Sequence, residues 1–232
     1  MYRRFTWLVI PLFLLGTYAW ANDETKDEDR LRDAGSVMKE ILNVPDGIPH
    51  DLLAKADCVI VFPSVRKAAF GIGASYGRGA MTCRKSPNFS GNWGAPTMMA
   101  LEGASVGFQI GAEATDFVLL VMNDHGANSI LGDKVKLGAD ASAAAGPKGR
   151  DTSAETDVTA RAEILSYSRA RGAFAGVSLE GSTVRPDNNA NKAIYGKDIP
   201  AKDIVLHDAE PVPPAARELV STLDHSTPHH GE

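Results

Sequence analysis

The sequence predicts an α+β protein: a mainly antiparallel, glycine-rich sheet, curled or barrel-like, with helices at both ends of the chain. Apolar residues recur at helical spacing near both termini. The middle of the chain instead holds apolar runs and period-two segments that are typical of strands. In the segment FGIGASYGRGA, at 70–80, glycine alternates with larger residues, so one face of a predicted strand carries almost no side chains.

The first 21 residues resemble a secretory signal peptide. Arg3 and Arg4 precede an apolar run over 5–15, and Ala19-Trp20-Ala21 fits a cleavage site. The apolar run is short for a membrane span, and Pro11 interrupts it. We therefore expect export and cleavage, which place the mature protein in the periplasm or outside the cell, either free or peripheral to a membrane. An uncleaved anchor is the alternative.

Helices are predicted on both sides of the strand region. The first covers 30–42 and ends at Asn43 and Pro45, and a short second helix follows Pro49. The apolar face of the first helix consists of Leu31, Ala34, Met38, Ile41 and Leu42. Near the carboxyl terminus, a short helix or turn is expected at 187–196 and another at 201–205, and a longer helix at 213–225.

Strands are predicted between these helical regions. The buried run CVIVF ends at Pro63-Ser64, and two further strands turn around Arg171-Gly172. The other predicted strand segments are 68–83, 97–103, 105–114, 116–123 and 135–146, with a turn or short helix at 124–133.

The glycines of two of these segments are expected to lie together on a bare face. In the first segment they are Gly71, Gly73, Gly77 and Gly79, and in 105–114 they include Gly107 and Gly111. A bare face lets a helix, a second sheet or an acyl chain approach closely, and we favour packing by protein. The spacing G-x-G-x-x-x-G and the absence of a following helix argue against a phosphate loop.

Cys58 and Cys83 flank predicted neighbouring strands, and an oxidising compartment permits a disulfide between them. Two buried thiols are the alternative. Two cysteines so far apart do not form a metal cluster, so no metal and no cofactor are predicted.

The charge distribution limits the kinds of molecule that the protein is expected to bind. The net charge of −5 argues against a nucleic-acid-binding protein. Between residues 58 and 101, however, the chain has no Asp or Glu, and its cations there include Arg66, Lys67 and Arg78. One central surface is therefore expected to be locally positive, although scattered, solvated cations would give the same pattern.

No catalytic constellation is evident in the sequence. His50, His125 and His207 are scattered, and neither H-E-x-x-H nor G-x-S-x-G occurs. We therefore predict that the protein is not an enzyme, with an enzyme acting on lipid or envelope polymer as the third hypothesis.

Four long blocks resemble the SYLF domain family. They are FPSVRKAAFGIGASYGRG at 62–79, GFQIGAEATDFVLLVMN at 107–123, VKLGADASAAAGPKGR at 135–150 and ILSYSRARGAFAGVSLEGS at 164–182. The resemblance spans roughly residues 35–196. The predicted organisation is a signal peptide at 1–21, a helical segment at 22–56, a β-rich core at 57–196 and a helix with a tail at 197–232.

The resemblance implies a lipid-binding function. Eukaryotic members bind phosphoinositides at membranes, and some yeast members also bind actin. An exported bacterial member would not meet actin, so the expected partner is anionic phospholipid or a membrane surface, with no nucleic acid. An envelope module that docks a protein partner is the alternative.

The candidate headgroup contacts are cations, each of which would otherwise be a solvated surface residue. They are Arg66, Lys67, Arg78, Lys148 and Arg150, followed by Arg169 and Arg171. The helix at 30–42 is the candidate membrane-facing element, but we favour its packing on the sheet.

Overall fold

The computed structural model describes residues 16–44, 47–70, 72–86, 88–106, 111–147, 161–170 and 173–228. These residues form a curled nine-stranded sheet with helices before and after it. All but one of the strand pairs are antiparallel. The predicted α+β class is confirmed.

The described helices and strands are as follows. The helices are α1 (Gly16–Leu42), α2 (His50–Lys55), α3 (Asp124–Gly132), α4 (Asn188–Tyr195), α5 (Ala201–Leu206) and α6 (Arg217–Ser226). The strands are β1 (Cys58–Phe70), β2 (Ile72–Cys83), β3 (Thr97–Val106), β4 (Gly111–Val121), β5 (Val135–Lys136), β6 (Ala143–Ala145), β7 (Ile164–Ala170), β8 (Ala173–Gly176) and β9 (Thr183–Pro186).

The long strands form the centre of the sheet. The order is β5-β9-β3-β2-β1-β4-β7-β6, and β8 also pairs with β7. The outer edge of β7 is shared: β6 pairs in parallel with residues 164–166, and β8 pairs antiparallel with residues 167–170. The two short strands thus protect one edge of the sheet from further pairing.

Each face of the sheet is covered by its own apolar core. On one face, α1, α2 and α6 pack over residues such as Val61, Val118 and Leu120. On the other, α3 and α5 pack over residues such as Ile60, Phe117 and Leu119. Alternation along the central strands supplies both cores, because successive side chains point to opposite faces.

Helix α1 packs on the sheet, as the sequence analysis favoured. Its apolar residues Leu31, Ala34, Met38 and Ile41 are at most 1% exposed. The helix ends at Leu42, just before the predicted stop at Asn43. The predicted signal-peptide segment 1–15 lies outside the described residues. Within the part of the chain that the structure describes, no helix has the length and apolar character of a membrane span.

Cys58 and Cys83 form a disulfide between directly opposed residues of β1 and β2. The next residue, Arg84, is only 1% exposed. Its guanidinium donates to the carbonyl oxygens of Ala56 and Thr227 and lies 4.5 Å from the centre of the Trp93 ring. At this end of the sheet, which we call the disulfide end, a covalent bond joins β1 to β2, and a buried hydrogen bond of Arg84 joins the sheet to Thr227, directly after α6.

The predicted break at Pro63-Ser64 is wrong, because β1 continues through it as a β-bulge. The register of β1 against both β2 and β4 shifts by one residue in this stretch. Ser64 takes a positive φ of 51°, and its N–H donates to Asp116 Oδ1 at 2.8 Å. A bulge leaves one residue outside the ladder, so Pro63, which has no N–H to donate, is tolerated within the strand.

The bulge also exchanges the two faces of β1. Before it, Ile60 and Phe62 belong to the core under α3 and α5; after it, Val65 does. A one-residue shift moves every following side chain to the opposite face. Arg66 consequently lies on the α1 face, opposite Tyr76 of β2 and Ala114 of β4.

Two predicted strands are each divided between two observed ones. Segment 68–83 contains the end of β1 and all of β2, which separate at residue 71. Segment 105–114 contains the end of β3 and the start of β4, with 107–110 outside the described residues. The alternation of glycine runs on through both junctions, so the period alone does not mark where a strand ends. Strand β9 was not predicted.

Gly79 allows the bulged part of β1 to lie against β2. A Cβ atom there would overlap the Val61 carbonyl oxygen and come within 2.8 Å of Phe62 Cα. Both obstacles are backbone atoms, so relief would require the bulge to move. We expect Gly79→Ala to reduce the free energy of unfolding by about 1–3 kcal/mol, measured by urea denaturation.

Gly132→Ala is the matched control, since a Cβ at Gly132 meets no atom within 4 Å. This residue ends α3, where alanine is well tolerated. Equal stability of the two variants would contradict the close packing of β1 on β2.

Candidate functional site

Of the described candidate cations, Arg66 and Lys67 lie toward one end of the sheet, which we call the hairpin end, whereas Arg78 and Arg169 lie level with the bulge of β1. At this end β1 gives way to β2 (70–72), β3 ends and β4 begins (106–111), and β7 gives way to β8 (170–173). It is opposite the disulfide end. In the antiparallel β1–β2 pair, for example, Cys58 and Cys83 are at one end and Phe70 and Ile72 are at the other.

Protein, rather than a cavity, covers the described part of the glycine face. Gly73, Gly77 and Gly79 are buried. A Cβ at Gly77 would overlap the Val65 side chain, as one at Gly79 would overlap β1 backbone. The favoured expectation of packing by protein holds at these two positions, where no acyl chain fits. Gly71 and Gly107 lie outside the described residues, and Gly111 is the first residue of β4.

Arg78 is held inside the fold by two carboxylates. Its Nε donates to Asp187 Oδ2 at 2.5 Å, and its Nη1 lies 3.2 Å from Asp27 Oδ1. Asp187 also caps α4 by accepting from the N–H of Ala190. Burial raises the pKa of Asp27, although Arg78 and Arg30 favour its ionised form. Arg78 therefore joins β2, α1 and α4, and its guanidinium is not free for a headgroup.

Arg169 is held in the same way at the other side of α1. Its Nη2 lies 2.8 Å from Asp116 Oδ2, and its Nη1 pairs with Glu40 of α1. Asp116 accepts the Ser64 N–H as well. One carboxylate thus connects the bulge of β1 with β4 and β7, and Arg169 extends that connection to α1.

Arg66 and Lys67 differ from these two arginines. Both are exposed, and neither forms an ion pair with a side chain that the structure describes. The Lys67 ammonium lies 4.8 Å from the centre of the Phe117 ring, a cation–π contact. In the ladder, Lys67 is opposite Ser75 and Glu113, whereas Arg66 is opposite the uncharged Tyr76 and Ala114.

Most other described cations are paired with carboxylates. Of the described lysines and arginines that are exposed and without a carboxylate partner among the described side chains, only Arg66 and Lys67 are neighbours in sequence. The others are Lys55, Lys136, Arg161, Lys202 and Arg217. The candidates Lys148, Arg150 and Arg171 lie outside the described residues.

Sequence reasoning missed the acidic partners in these clusters. Asp116 is half-buried and bonded to Ser64 and Arg169, which lie 52 and 53 residues away along the chain. Asp27 and Asp187 lie far along the chain from Arg78, so no local spacing indicates the pair. Tyr76 was also missed: among the described large apolar side chains it is the exposed one, at 50%.

A second polar cluster lies at the disulfide end, around Glu163. This carboxylate accepts hydrogen bonds from the N–H and hydroxyl of Ser142, at 2.7 and 3.2 Å, and lies 2.5 Å from His125 Nδ1. Burial opposes ionisation of Glu163, but these hydrogen bonds outweigh it and lower its pKa. Ser142 directly precedes β6, Glu163 directly precedes β7, and His125 lies in α3. The cluster therefore holds the starts of these two strands beside α3.

Comparison with known proteins identifies one matching family model, described as "Ysc84: Las17-binding protein actin regulator", over residues 102–226. The chain is 33% identical over 201 residues to a human protein named SH3 domain-containing YSC84-like protein 1. That match covers 84% of this chain and 57% of the human protein.

Two further relatives have similar coverage. The Xenopus laevis protein of the same name is 33% identical over 204 residues, which are 84% of this chain and 59% of the relative. LAS seventeen-binding protein 3 of Saccharomyces cerevisiae is 31% identical over 204 residues, which are 87% of this chain and 43% of the relative. The chain thus spans about half the length of the curated relatives that it matches.

Replacing Arg78 with methionine should destabilise the protein more than replacing a surface arginine. The variant leaves Asp27, whose side chain is 3% exposed, without its pairing to Arg78. We expect a loss of about 2–3 kcal/mol in urea unfolding, below the usual range for fully buried pairs because Arg78 is 23% exposed.

Arg185→Met is the matched control for Arg78→Met. Arg185 also pairs with a carboxylate, Glu102, but both side chains are about one-third exposed. The expected loss is about 0–1 kcal/mol. Similar losses in the two variants would show that Arg78 does not hold α1 on the sheet.

Stability should depend on Glu163 in a pH-dependent way. Because its pKa is lowered in the folded state, its contribution is present above the unfolded pKa of about 4.3 and lost as pH falls through the folded value. The difference in unfolding free energy between wild type and Glu163→Gln should therefore shrink between about pH 6 and pH 3. Ser142→Ala, which keeps the backbone donor, should have an intermediate effect. A difference that is constant with pH would contradict this assignment.

Proposed function

The chain belongs to the Ysc84 (SYLF) family, and from this premise we propose that it is a non-enzymatic lipid-binding protein of a bacterial envelope. In this proposal the hairpin end of the sheet meets anionic phospholipid. The observation that carries it is the Arg66–Lys67 pair: two adjacent, exposed cations without a carboxylate partner among the described side chains.

The two cations lie on opposite faces of β1, because neighbouring residues of a strand alternate. A flat membrane laid against either face would meet only one of them, and the α1 face is covered by a helix farther along the strand. An approach to the end of the sheet avoids this difficulty. Long side chains from both faces can then extend to the same plane of headgroups.

Apart from Glu113, which is opposite Lys67 in the β1–β4 ladder, the charge near the two cations favours an anionic partner at this end. No acidic residue occurs between 58 and 101, and the nearby carboxylate of Glu102 is neutralised by Arg185 and Lys134. A cation near an anionic membrane surface contributes about 1 kcal/mol. Two such residues alone give weak binding, so further contacts at the hairpin end must add to them.

Location outside the cytoplasm is part of the proposal. The first 21 residues have the pattern of a signal peptide, and the Cys58–Cys83 disulfide is a bond that persists in oxidising compartments. These two features support export independently of each other.

A protein-binding role is the second candidate, favoured by the names of the relatives. The family description and the yeast relative's name both refer to a protein partner. Vesicle co-sedimentation separates the two roles, because a protein-docking module has no reason to sediment with lipid.

Vesicle co-sedimentation tests the lipid-binding role. The protein should sediment with vesicles of phosphatidylglycerol and cardiolipin at low salt and remain in the supernatant with phosphatidylcholine. Reversal of both cations, Arg66→Glu with Lys67→Glu, should weaken binding at least about tenfold. Binding should also fall steeply with salt, because exposed charges are screened.

The matched control reverses Lys55 and Arg161. Both are exposed and lack a carboxylate partner among the described side chains, and both lie near the disulfide end. The net charge changes by the same amount, so nonspecific attraction is reduced equally. Equal weakening by both pairs would place binding elsewhere, and no binding by the wild type would exclude the lipid surface.

A further inference from the structure

Tyr76 differs from the other aromatic residues whose side chains the structure describes, because half of it is in solvent. Its exposed fraction is 50%. The other aromatic side chains that the structure describes are buried or half-buried: Phe62, Phe89, Trp93, Phe117, Tyr167, Phe174 and Tyr195. A single exposed tyrosine is ordinary in itself, so its surroundings decide whether it has a role.

Tyr76 stands directly beside Arg66 in the β1–β2 ladder. Opposed residues of an antiparallel pair share a face, with Cβ atoms about 4.5–5.5 Å apart. The next residue toward the hairpin end on the same face of β2 is Ala74, and the residue beyond Arg66 on β4 is Ala114; both are exposed. These small neighbours leave the ring uncovered toward the hairpin end.

The charges around the ring also favour an anionic partner. Glu102 is opposite Tyr76 on β3, but it pairs with Arg185 at 2.9 Å and with Lys134 at 3.3 Å. Arg78 follows two residues along β2 on the same face and is neutralised by Asp27 and Asp187. Arg66 therefore supplies the unpaired charge nearest to Tyr76 in the ladder.

We propose that Tyr76 is an interfacial anchor, whose ring enters the headgroup layer of an anionic phospholipid bilayer while Arg66 contacts a phosphate. This inference rests on the proposed lipid-binding function. Tyrosine suits the position because its ring is apolar and its hydroxyl stays hydrated, the property that concentrates it at membrane–water interfaces.

Such a site has two components that respond differently to salt. Attraction by Arg66 and Lys67 weakens as the ionic strength rises, whereas burial of the Tyr76 ring does not depend on screening. Removal of the ring should therefore lower binding by a similar factor at low and high salt. Reversal of the cations should matter mainly at low salt.

Vesicle affinity of Tyr76 variants tests the anchor. With phosphatidylglycerol–phosphatidylcholine vesicles, Tyr76→Ser should weaken binding roughly five- to tenfold at both salt concentrations, as expected for half of an aromatic ring's surface. Tyr76→Phe keeps the apolar ring and should remain within about twofold of the wild type. Because the side chain is exposed, both variants should fold, which far-UV circular dichroism checks.

Nitration with tetranitromethane gives a second measurement without mutation. Tyr167 and Tyr195 should react poorly, because burial raises the pKa of both hydroxyls, with a further contribution of Glu210 at Tyr195. Peptide mass spectrometry should find nitration at Tyr76, and anionic vesicles should reduce it at least about fivefold. Vesicles of phosphatidylcholine alone should leave it unchanged.

The outcomes separate this inference from the proposed function. If Tyr76→Ser binds like the wild type while the Arg66/Lys67 reversal abolishes binding, the anchor is wrong and the lipid-binding function stands. If the wild type does not bind vesicles, both are wrong. If nitration of Tyr76 falls with increasing protein concentration in the absence of lipid, the ring lies between copies of the chain and the membrane anchor is excluded.

Discussion

The one-residue bulge in β1 is the feature on which the remaining geometry depends. It lies against the bare face of β2, where Gly77 and Gly79 leave room for it. Its backbone is held by Asp116, which Arg169 connects to β7 and α1. Because the bulge exchanges the faces of the strand, it places Val65 in a core and Arg66 on the surface. Without it, the chain would bury the cation and expose the valine.

Local patterns in the sequence predicted which segments are helices and which are strands, but they did not predict where each strand ends. The apolar face of α1, the short helices and the β7–β8 pair follow from spacing that neighbouring residues determine. The hairpin between β1 and β2 does not, because glycine satisfies both the alternation within a strand and the requirements of a turn. Cys58 and Cys83 are opposite each other only because β1 and β2 form that hairpin. The sequence therefore did not decide between a disulfide and two buried thiols.

Local sequence was also insufficient to predict which cations of the candidate site have carboxylate partners. A segment without acidic residues predicts free cations only if no acid from elsewhere folds onto it. Asp27 and Asp187 do so at Arg78, from positions before and after the central strands. Arg66 and Lys67 keep their exposure because they follow the bulge, beyond the part of β1 that packs with α1. Position along the strand, rather than residue type, separates the structural cations from the proposed binding cations.

The two ends of the sheet are built for different tasks. At the disulfide end, Cys58–Cys83 joins β1 to β2, and the buried Arg84 bonds to Thr227, directly after α6. At the hairpin end, two adjacent cations have no carboxylate partner among the described side chains, and the Tyr76 ring is half-exposed. This arrangement contributes little to the free energy of unfolding. Such an arrangement persists in a marginally stable protein only where the rest of the fold supplies enough free energy. In the proposed function, the disulfide end stabilises the fold. The exposed cations and aromatic ring of the hairpin end then contact a membrane instead of other parts of the protein.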